Sequence, residues 1–264
     1  MAQYFEVHPE NPQPRLLKQA VALLEKGSIL AVPTDSSYAL VCHLDDKAAV
    51  DALRKIRGVD DKHHLTLLCR DLSELANYAK VDNQQYRLLK SATPGPYTFI
   101  LEASKEVPRR VSHPSRKTIG LRVPEHKTLQ ELLALHGAPL LATTLIAPGE
   151  TDPMNDAGEI RDRFEHQIAA VIDAGACALE PTTVIDLTGG EPQVIRQGRG
   201  PLARLGLWNA ADSARAQLPH NPLRNFTSGY CTPYSDRRDL RATRLVCHHR
   251  PRSGPRVCRA PLRR

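Results

Sequence analysis

Short apolar runs alternate with longer amphipathic segments as far as residue 207, and this alternation constrains the fold more than any other feature of the chain. The runs ILAVP, LTLLC and TTVIDLT have the length of strands. RLLKQAVALLEKG and HKTLQELLALHG space their apolar residues for a helix and end at Gly27 and Gly137. Because strands that alternate with helices typically form a covered sheet, the sequence predicts an α/β fold. We expect a single domain over residues 1–208, with a twisted, mixed, open sheet flanked by helices.

The last part of the chain, residues 209–264, differs in composition from the rest. It holds 12 arginines, no lysine and three acidic residues, and its apolar residues follow neither a two-residue nor a 3.6-residue period. Such a segment cannot bury enough surface to offset the entropy of ordering it, so we predict that it is disordered. Two interpretations stay open: an arginine-rich tail that binds RNA, or a readthrough or out-of-frame extension encoded by GC-rich DNA.

Charge and motif content exclude several classes of function. The whole chain carries a formal net charge of +7, but residues 1–208 hold 24 basic and 26 acidic side chains, which gives −2 and no bulk reason to expect general polyanion binding. None of the six cysteines forms a C-x-x-C pair, and neither G-x-G-x-x-G nor a P-loop occurs. With no apolar run near the ~20 residues of a membrane helix and no secretory signal at MAQYFEVHPENPQ, we expect a cytoplasmic protein that has no membrane partner.

Polar and cationic residues gather at the ends of predicted strands and helices. Four stretches show this pattern: PTDSSY at 33–38, KIRG at 55–58 with KHH at 62–64, TIGLRV at 118–123, and the threonine pairs at 143–144 and 182–183. Each has an ordinary explanation when taken singly. Lys55 and Arg57 suit the negative end of a helix, Arg122 can pair with a surface acid, and threonine is a natural strand residue.

Taken together, the four stretches indicate a site for a phosphate-bearing ligand and an acid. Lys55 and Arg57 can hold a triphosphate, and Arg122 can take a carboxylate through its planar fork. Hydroxyl groups at strand ends can orient a small polar substrate. Since neither a Ser/His/Asp set nor a carboxylate pair is evident, a hydrolase is not indicated, and Mg²⁺ would be carried by the phosphates.

Several motifs resemble those of the YrdC/YciO family, which includes the threonylcarbamoyl-AMP synthases. They occur in the family's order and at roughly its separations: VPTDSSYAL, RKIRG, PGPYTFIL, TIGLRVPEH, PLLATTL and PTTVIDLTGGEPQVIRQGRG. CRDLSEL and KEVPRRV are similar to the YciO branch in particular. The resemblance spans residues 3–207 and none of the tail.

The resemblance implies a YrdC-like domain with a concave, basic cavity and a nucleotidyltransferase activity. The family's synthases join L-threonine, bicarbonate and ATP, with Mg²⁺, to give threonylcarbamoyl-AMP and pyrophosphate, and the product serves tRNA threonylcarbamoyladenosine modification. The enzyme would act by positioning its substrates, with no residue in a covalent catalytic role. Carried onto this chain, the resemblance assigns threonine binding to Thr34, Arg122 and Thr183, ATP binding to Lys55, Arg57, Lys62, Thr118, Thr144 and Arg196, and a supporting role to Ser36, Tyr38 and Thr98.

The chain departs from the synthase pattern at three places. A Ser-x-Asn motif is replaced by Thr144 and Ile146, and the first motif carries Ser36 and Ala39. A further lysine of the synthases falls at Asp61, with Lys62 one step on, or at His63 if the following strand is used as the anchor. These departures resemble the YciO branch. They leave two alternatives to a synthase: a protein of the same fold that binds double-stranded RNA or tRNA, and an enzyme with another acyl-nucleotide substrate.

Overall fold

The computed structural model of the chain describes residues 1–61, 63–113 and 115–207. The predicted tail, 209–264, and Lys62, which the resemblance assigns to ATP, both lie outside these residues. Within them, no helix is both long and apolar enough to cross a bilayer.

The described residues form ten strands, six α-helices and one 3₁₀ helix. The strands are β1 (Gln3–Glu6), β2 (Leu30–Val32), β3 (Ala39–His43), β4 (Thr66–Leu68), β5 (Tyr97–Glu102), β6 (Thr118–Arg122), β7 (Leu140–Thr144), β8 (Ala170–Asp173), β9 (Thr183–Asp186) and β10 (Gln193–Arg196). The helices are α1 (Pro14–Glu25), α2 (Lys47–Arg57), α3 (Leu72–Tyr78), α4 (Asn83–Ala92), α5 (Lys127–His136), α6 (Ala157–Phe164) and the 3₁₀ helix Leu202–Leu205.

All ten strands join one open sheet in the order β1-β8-β2-β3-β7-β4-β6-β5-β9-β10. The pairs β1–β8, β8–β2, β4–β6 and β5–β9 are parallel, and the other five neighbouring pairs are antiparallel. The prediction of a mixed α/β sheet with flanking helices is therefore confirmed. The sequence analysis did not assign a strand to Gln3–Glu6, which is short and largely exposed.

Helices cover the two faces of the sheet unequally. Successive residues of β3 alternate between two buried clusters, Leu40 and Cys42 in one and Ala39 and Val41 in the other, as expected for side chains that point to opposite faces. The buried apolar side chains of α2, α3, α4 and α6 all belong to the cluster of Leu40. Those of α1 and α5 belong to the cluster of Val41, so only these two helices pack on that face.

The cluster under α1 and α5 ends in the middle of the sheet. It reaches Leu68 on β4 and Ala142 on β7 and includes no described residue of β5, β6 or β9. The register continues the same face across these strands, because Ala142 pairs with Thr66 and Thr66 with Gly120. Small and hydroxyl-bearing side chains therefore occupy a part of the sheet that no apolar cluster covers. We call this part of the face the open half.

Local signals at α2 show how the sequence directs the chain toward this half. Asp46 caps the helix, because its Oδ1 accepts a hydrogen bond of 3.1 Å from the amide of Ala49. Gly58 ends it with φ +67°, a left-handed conformation that glycine adopts without steric cost. Val50, Leu53 and Ile56 are buried, as their helical spacing in DDKAAVDALRKIRG predicts, and Arg57 stands at the last position of the helix.

At the start of α3, the spacing of Asp71 and Glu74 in the sequence predicts a capping box. Asp71 does accept a hydrogen bond of 2.8 Å from the amide of Glu74, but the Glu74 carboxylate accepts from the amide of Arg70 instead of that of Asp71. The reciprocal arrangement occurs at α4, between Asp82 and Gln85. The prediction of a capping box at α3 is therefore wrong in its second half.

Candidate functional site

A cavity of about 240 Å³ lies on the open half of the sheet. Its floor comes from strands β3 to β7 and β9, through Ala39, Thr66, Leu68, Thr98, Ile100, Gly120, Ala142 and Val184. Side chains of this size leave space above the strands. The floor therefore supplies hydroxyl groups and short hydrocarbon, and the larger polar groups stand around it.

Three arginines line the cavity, and each contacts the protein as well. Arg57 donates from Nε to the carbonyl oxygen of Thr144 at 2.9 Å. Arg196 donates from Nε and Nη2 to the carbonyl oxygen of Thr182, both at 3.2 Å. Because a guanidinium carries five N–H donors, these contacts orient the side chains and leave donors for a ligand.

The third arginine, Arg122, forms a buried ion pair with Asp35, and their side chains are 9% and 8% exposed. Its Nη2 also lies 3.1 Å from the hydroxyl of Ser36 and 3.3 Å from that of Thr34. The amide of Glu125 donates to the other carboxylate oxygen of Asp35 at 3.2 Å. Burial lowers the pKa of Arg122, and the Asp35 carboxylate opposes that effect. The residue predicted to hold a substrate carboxylate is thus already paired with a carboxylate of the chain.

The loop between β2 and β3 is organised by Thr34. Its Oγ1 donates to the carbonyl oxygen of Ser37 at 2.6 Å and accepts from the amides of Ser36 and Ser37 at 3.1 and 3.2 Å. A hydroxyl that closes its own turn in this way fixes the backbone locally. Thr34 and Ser37 line the cavity, whereas Ser36 contributes its contact with Arg122.

Tyr38, predicted to support the site, points away from it. The side chain is fully buried in the cluster of Leu40, and its hydroxyl donates to the carbonyl oxygen of Gly175 at 3.3 Å. Burial raises the pKa of this phenol. The residue therefore anchors the start of β3 from the opposite face of the sheet.

Of the two threonines at the start of β9, Thr182 faces the cavity and Thr183 does not. Thr183 pairs with Tyr97 in the sheet, and its hydroxyl donates to the carbonyl oxygen of Gly200 at 2.7 Å and accepts from the amide of Gly198 at 3.0 Å. Its neighbour Thr182 lines the cavity and shares a hydrogen bond of 3.0 Å with Thr98. Thr98 and Thr182 are therefore hydroxyl residues that the structure brings to the wall near Arg196, whereas Thr144 stands near Arg57.

The remaining predicted residues are not part of the cavity lining. Lys55 is exposed on α2, two residues before Arg57. Thr118 begins β6 on the face of Gly120 and Arg122; it is 4% exposed, and its Oγ1 has no hydrogen-bond partner within the described ranges. Lys62 lies outside them. Of the twelve residues predicted for the site, the structure thus brings together Thr34, Arg57, Thr98, Arg122, Thr144 and Arg196.

The cavity also contains residues to which the sequence analysis assigned no role. His63 and His64 line it, as do Thr66 and Ile146. The histidines had been noted only as neighbours of Lys62. The alternation of side chains along a strand could have identified Thr66 and Thr182 as cavity residues. Thr66 pairs with Gly120 on the cavity face, and Thr182 points to the opposite face from its neighbour Thr183.

A second groove, of about 880 Å³, lies at another place on the chain. Its wall includes Arg70, Tyr86, Lys90, Glu125 and His126 and none of the residues predicted for ATP or threonine. Volume alone would favour this groove. The cavity on the open half is favoured by its chemistry, because it combines three arginines, two histidines and a row of hydroxyls.

The groups in the cavity suit an anion that also presents hydrogen-bonding groups. Arginine and histidine bind phosphate and carboxylate oxygens, and threonine hydroxyls both donate and accept. No set of three or more His, Cys, Asp or Glu side chains suited to a metal occurs within the ranges that the structure describes. The carboxylate beside the cavity, that of Asp35, is bound to Arg122.

Comparison with known proteins gives one family. The model of the Sua5/YciO/YrdC family, described as "Telomere recombination", matches residues 22–198. The YciO protein of Escherichia coli K12 is 50% identical over 200 residues, which are 76% of this chain and 97% of that protein. The threonylcarbamoyl-AMP synthase of Homo sapiens is 31% identical over 191 residues, covering 69% of this chain and 67% of that protein.

Solved structures show the same fold. The crystal structure of E. coli YciO superposes with a TM-score of 0.75 at 49% identity, covering 78% of this chain and all of that one. The crystal structure of P. abyssi Sua5 complexed with L-threonine superposes with a TM-score of 0.71 at 26% identity, covering 76% of this chain and 59% of that one.

Proposed function

The chain belongs to the Sua5/YciO/YrdC family, and from that premise we propose that it is a threonylcarbamoyl-AMP synthase-like enzyme, which converts L-threonine, bicarbonate and ATP to threonylcarbamoyl-AMP and pyrophosphate. Its product would serve tRNA threonylcarbamoyladenosine modification. The threonylcarbamoyl-AMP synthases among its relatives support this activity, as does the P. abyssi Sua5 structure with L-threonine.

The observation that carries the proposal is the composition of the cavity on the open half. Arg57, Arg122 and Arg196 stand around a floor of hydroxyls and short side chains. Arginines of this kind can bind the phosphates of ATP and the carboxylate of threonine, and the hydroxyls can orient the small polar groups between them. The cavity supplies position and charge and does not supply a nucleophile of its own.

The reaction requires little chemistry from the protein. The threonine amine attacks the carbon of bicarbonate, water leaves, and a carbamate forms. A carbamate oxygen then attacks the α-phosphorus of ATP, and the bond to the pyrophosphate oxygen breaks. Holding three substrates in line replaces the entropy of bringing them together, and arginines stabilise the charge that develops on the phosphates.

Arg122 and Asp35 give the threonine end of the proposed site a specific property. Since Asp35 already neutralises Arg122, a substrate carboxylate must share or displace that contact. Thr34 and Ser36 lie beside the same nitrogen and can take part in the exchange. We propose that threonine binds here with only moderate affinity.

Ile146 brings a departure from the synthase pattern into the site itself. Both Thr144 and Ile146 line the cavity, and the carbonyl of Thr144 is occupied by Arg57. A hydrocarbon in place of an amide removes a donor and an acceptor from the wall. We therefore propose a slow synthase, and expect Ile146→Asn to raise its rate.

Magnesium would reach the cavity with the nucleotide. The groups that face the cavity are cations and hydroxyls, and they fit an anion better than a bare divalent ion. Mg²⁺ bound with the nucleotide would neutralise part of the phosphate charge, and the arginines of the cavity would bind the phosphates. A cytoplasmic location, which the sequence analysis expected, accords with the supply of ATP and stays a prediction.

The test is an assay of pyrophosphate release from MgATP by the full chain. We expect release that requires both L-threonine and bicarbonate, and that falls about 10²-fold in Arg57→Ala and in Arg196→Ala. Arg87→Ala, an exposed arginine on α4 outside the cavity, is the matched control. Lys55→Ala tests whether Lys55, which the resemblance assigns to ATP binding, contributes to the reaction although it does not line the cavity.

Two results would reject the proposal. Pyrophosphate release that does not depend on threonine would indicate an enzyme with another acyl-nucleotide substrate, which is one of the alternatives that the sequence leaves open. No release at all, combined with tight binding of double-stranded RNA or tRNA by the full chain, would indicate the RNA-binding alternative.

A further inference from the structure

Two histidines stand in the wall of the cavity at a point where the resemblance expects a lysine. His63 and His64 connect α2 to β4, and both line the cavity. The backbone of His63 is fixed by Asp60, whose carbonyl oxygen and Oδ1 accept from its amide at 3.2 and 3.0 Å. These two hydrogen bonds hold the backbone of His63 next to the end of α2.

The surroundings of His63 are mainly cationic. Arg54 and Arg57 of α2 face it, and Asp60 of the following turn opposes them. Loss of hydration at the cavity wall lowers the pKa of His63, and the two arginines lower it further. Both effects favour the neutral form of this imidazole.

The surroundings of His64 have the same character. Its ring stacks on that of His113 with 4.8 Å between the centroids and an angle of 25° between the planes. Burial lowers the pKa of His64, and His113, Arg116 and His63 lower it further against the opposing charge of Asp186. Its Nδ1 is buried and has no hydrogen-bond partner among the described residues.

The arginines of the cavity are partly committed to the protein, and Nδ1 of His64 is not. Arg57 and Arg196 donate to backbone carbonyls, and Arg122 is paired with Asp35. Within the described ranges, the buried Nδ1 of His64 has no hydrogen-bond partner. The two imidazoles are thus potential N–H donors at a cavity whose proposed ligand is anionic.

We propose that His63 and His64 form a proton-linked anion subsite, which takes a phosphate group of the nucleotide when the imidazoles are protonated. The inference rests on the proposed function, because it names the regulation of the same cavity. A phosphate brings negative charge next to two imidazoles whose charged form is disfavoured by burial and by neighbouring cations. Its binding favours the imidazolium form and provides an acceptor for charge-assisted hydrogen bonds. Nucleotide binding should therefore take up protons.

The consequence is a nucleotide affinity that rises as the pH falls. Each proton taken up on binding changes the dissociation constant tenfold per pH unit. We expect the affinity of the full chain for MgATP to rise about tenfold more between pH 8 and pH 6 than that of the His63→Gln/His64→Gln variant. The nucleotide titrates equally in both, so the difference reports the histidines.

Isothermal titration calorimetry with MgATP tests the proposal, in two buffers of different ionisation enthalpy at each pH and without threonine or bicarbonate. Wild type should take up protons, the double glutamine variant should take up fewer, and His166→Gln, an exposed histidine outside the cavity, should match wild type. His63→Lys places a fixed cation at the subsite. It should bind MgATP more tightly than wild type at pH 8 and depend less on pH.

Three results would overturn the subsite: equal proton uptake in wild type and the double variant, no gain for His63→Lys at pH 8, or no MgATP binding at any pH. The outcomes separate the two proposals. Binding with the expected proton uptake but without threonine-dependent pyrophosphate release rejects the synthase and retains the subsite. Pyrophosphate release with unaltered proton uptake in the double variant rejects the subsite alone.

Discussion

One face of the sheet has two halves that use the same backbone for different purposes. In the covered half, Leu30, Val32 and Val41 pack beneath α1 and α5. In the open half, Thr66, Thr98 and Gly120 lie on the same face of neighbouring strands and form part of the floor of the cavity. Leu68 and Ala142 belong both to the apolar cluster and to the cavity wall, and they mark the border. Whether a helix covers a strand thus decides whether its side chains provide stability or a binding surface.

The ion pair at the edge of the cavity should have the largest effect on stability. Arg122→Ala leaves the carboxylate of Asp35 buried without its partner, and we expect the free energy of unfolding to fall by about 3–5 kcal/mol. Urea denaturation measures this. The double variant Asp35→Asn/Arg122→Met removes both charges and should recover most of the loss. A loss of under ~1 kcal/mol in Arg122→Ala would show that the pair is not buried in solution.

In the covered half, truncating a buried side chain should lower stability without changing ligand binding. Leu132 of α5 is fully buried, and Leu132→Ala should lower the free energy of unfolding by about 2–5 kcal/mol. Its MgATP affinity should stay within twofold of wild type at a temperature where it is folded. Leu135→Ala, on the exposed side of the same helix, is the control and should change stability by at most ~0.5 kcal/mol. Similar losses in both variants would contradict the packing of α5 on the sheet.

Thr182 and Thr183 are adjacent residues whose side chains point to opposite faces of the sheet, so substituting each in turn compares the two faces. Thr183→Val removes two hydrogen bonds from a fully buried hydroxyl, and we expect a loss of about 1–3 kcal/mol, measured by thermal unfolding. Thr182→Val removes the contact with Thr98 at the cavity, where water can replace it, so it should be less destabilising and should weaken ligand binding more. The reverse order would place Thr183 at the ligand, as the resemblance assigned it.

The smallest effect concerns the pH dependence of stability at the end of α5. Both ring nitrogens of His136 are buried without a partner in the described part of the chain, and its ring meets that of His43 at 5.2 Å. Burial lowers the pKa of His136, and His43 lowers it further against the opposing charge of Glu25. The unfolded chain then binds more protons than the folded one below about pH 6.5, so stability is lost as the pH falls through that range. His136→Phe should flatten the decline between pH 6.5 and 5, and an unchanged slope would exclude this histidine as its source.

The sequence predicted the elements well because their signals are local. Apolar periodicity, a helix cap at Asp45 or Asp46 and the glycines after α2 and α5 each act within a few residues, and the structure uses Asp46 as the cap. The fold class and family are confirmed for the same reason, since the motifs lie at strand ends along the chain. The sequence did not predict the ion pair between Arg122 and Asp35, because the two residues are 87 positions apart and no local pattern relates them.

The site was predicted less completely, for a reason that depends on the sheet. A shift of one residue moves a side chain to the other face, so a motif can identify the strand end and still name the wrong neighbour. Thr183 and Tyr38 point into the core, while Thr182 and Ser37 line the cavity. A helix raises the same difficulty, since Lys55 and Arg57 are two residues apart and only Arg57 reaches the cavity. The roles proposed for these residues stay predictions.

The most direct test of the central claim is an amide chemical-shift titration of the full chain with MgATP by nuclear magnetic resonance. The claim is that the open half of the sheet face binds the nucleotide. We predict saturable shifts at Thr98, Gly120 and Thr182, and shifts within experimental error at Leu30 and Leu132 of the covered half. Shifts confined to the groove beside Arg70 and Lys90, with none at Thr98, Gly120 or Thr182, would contradict the account.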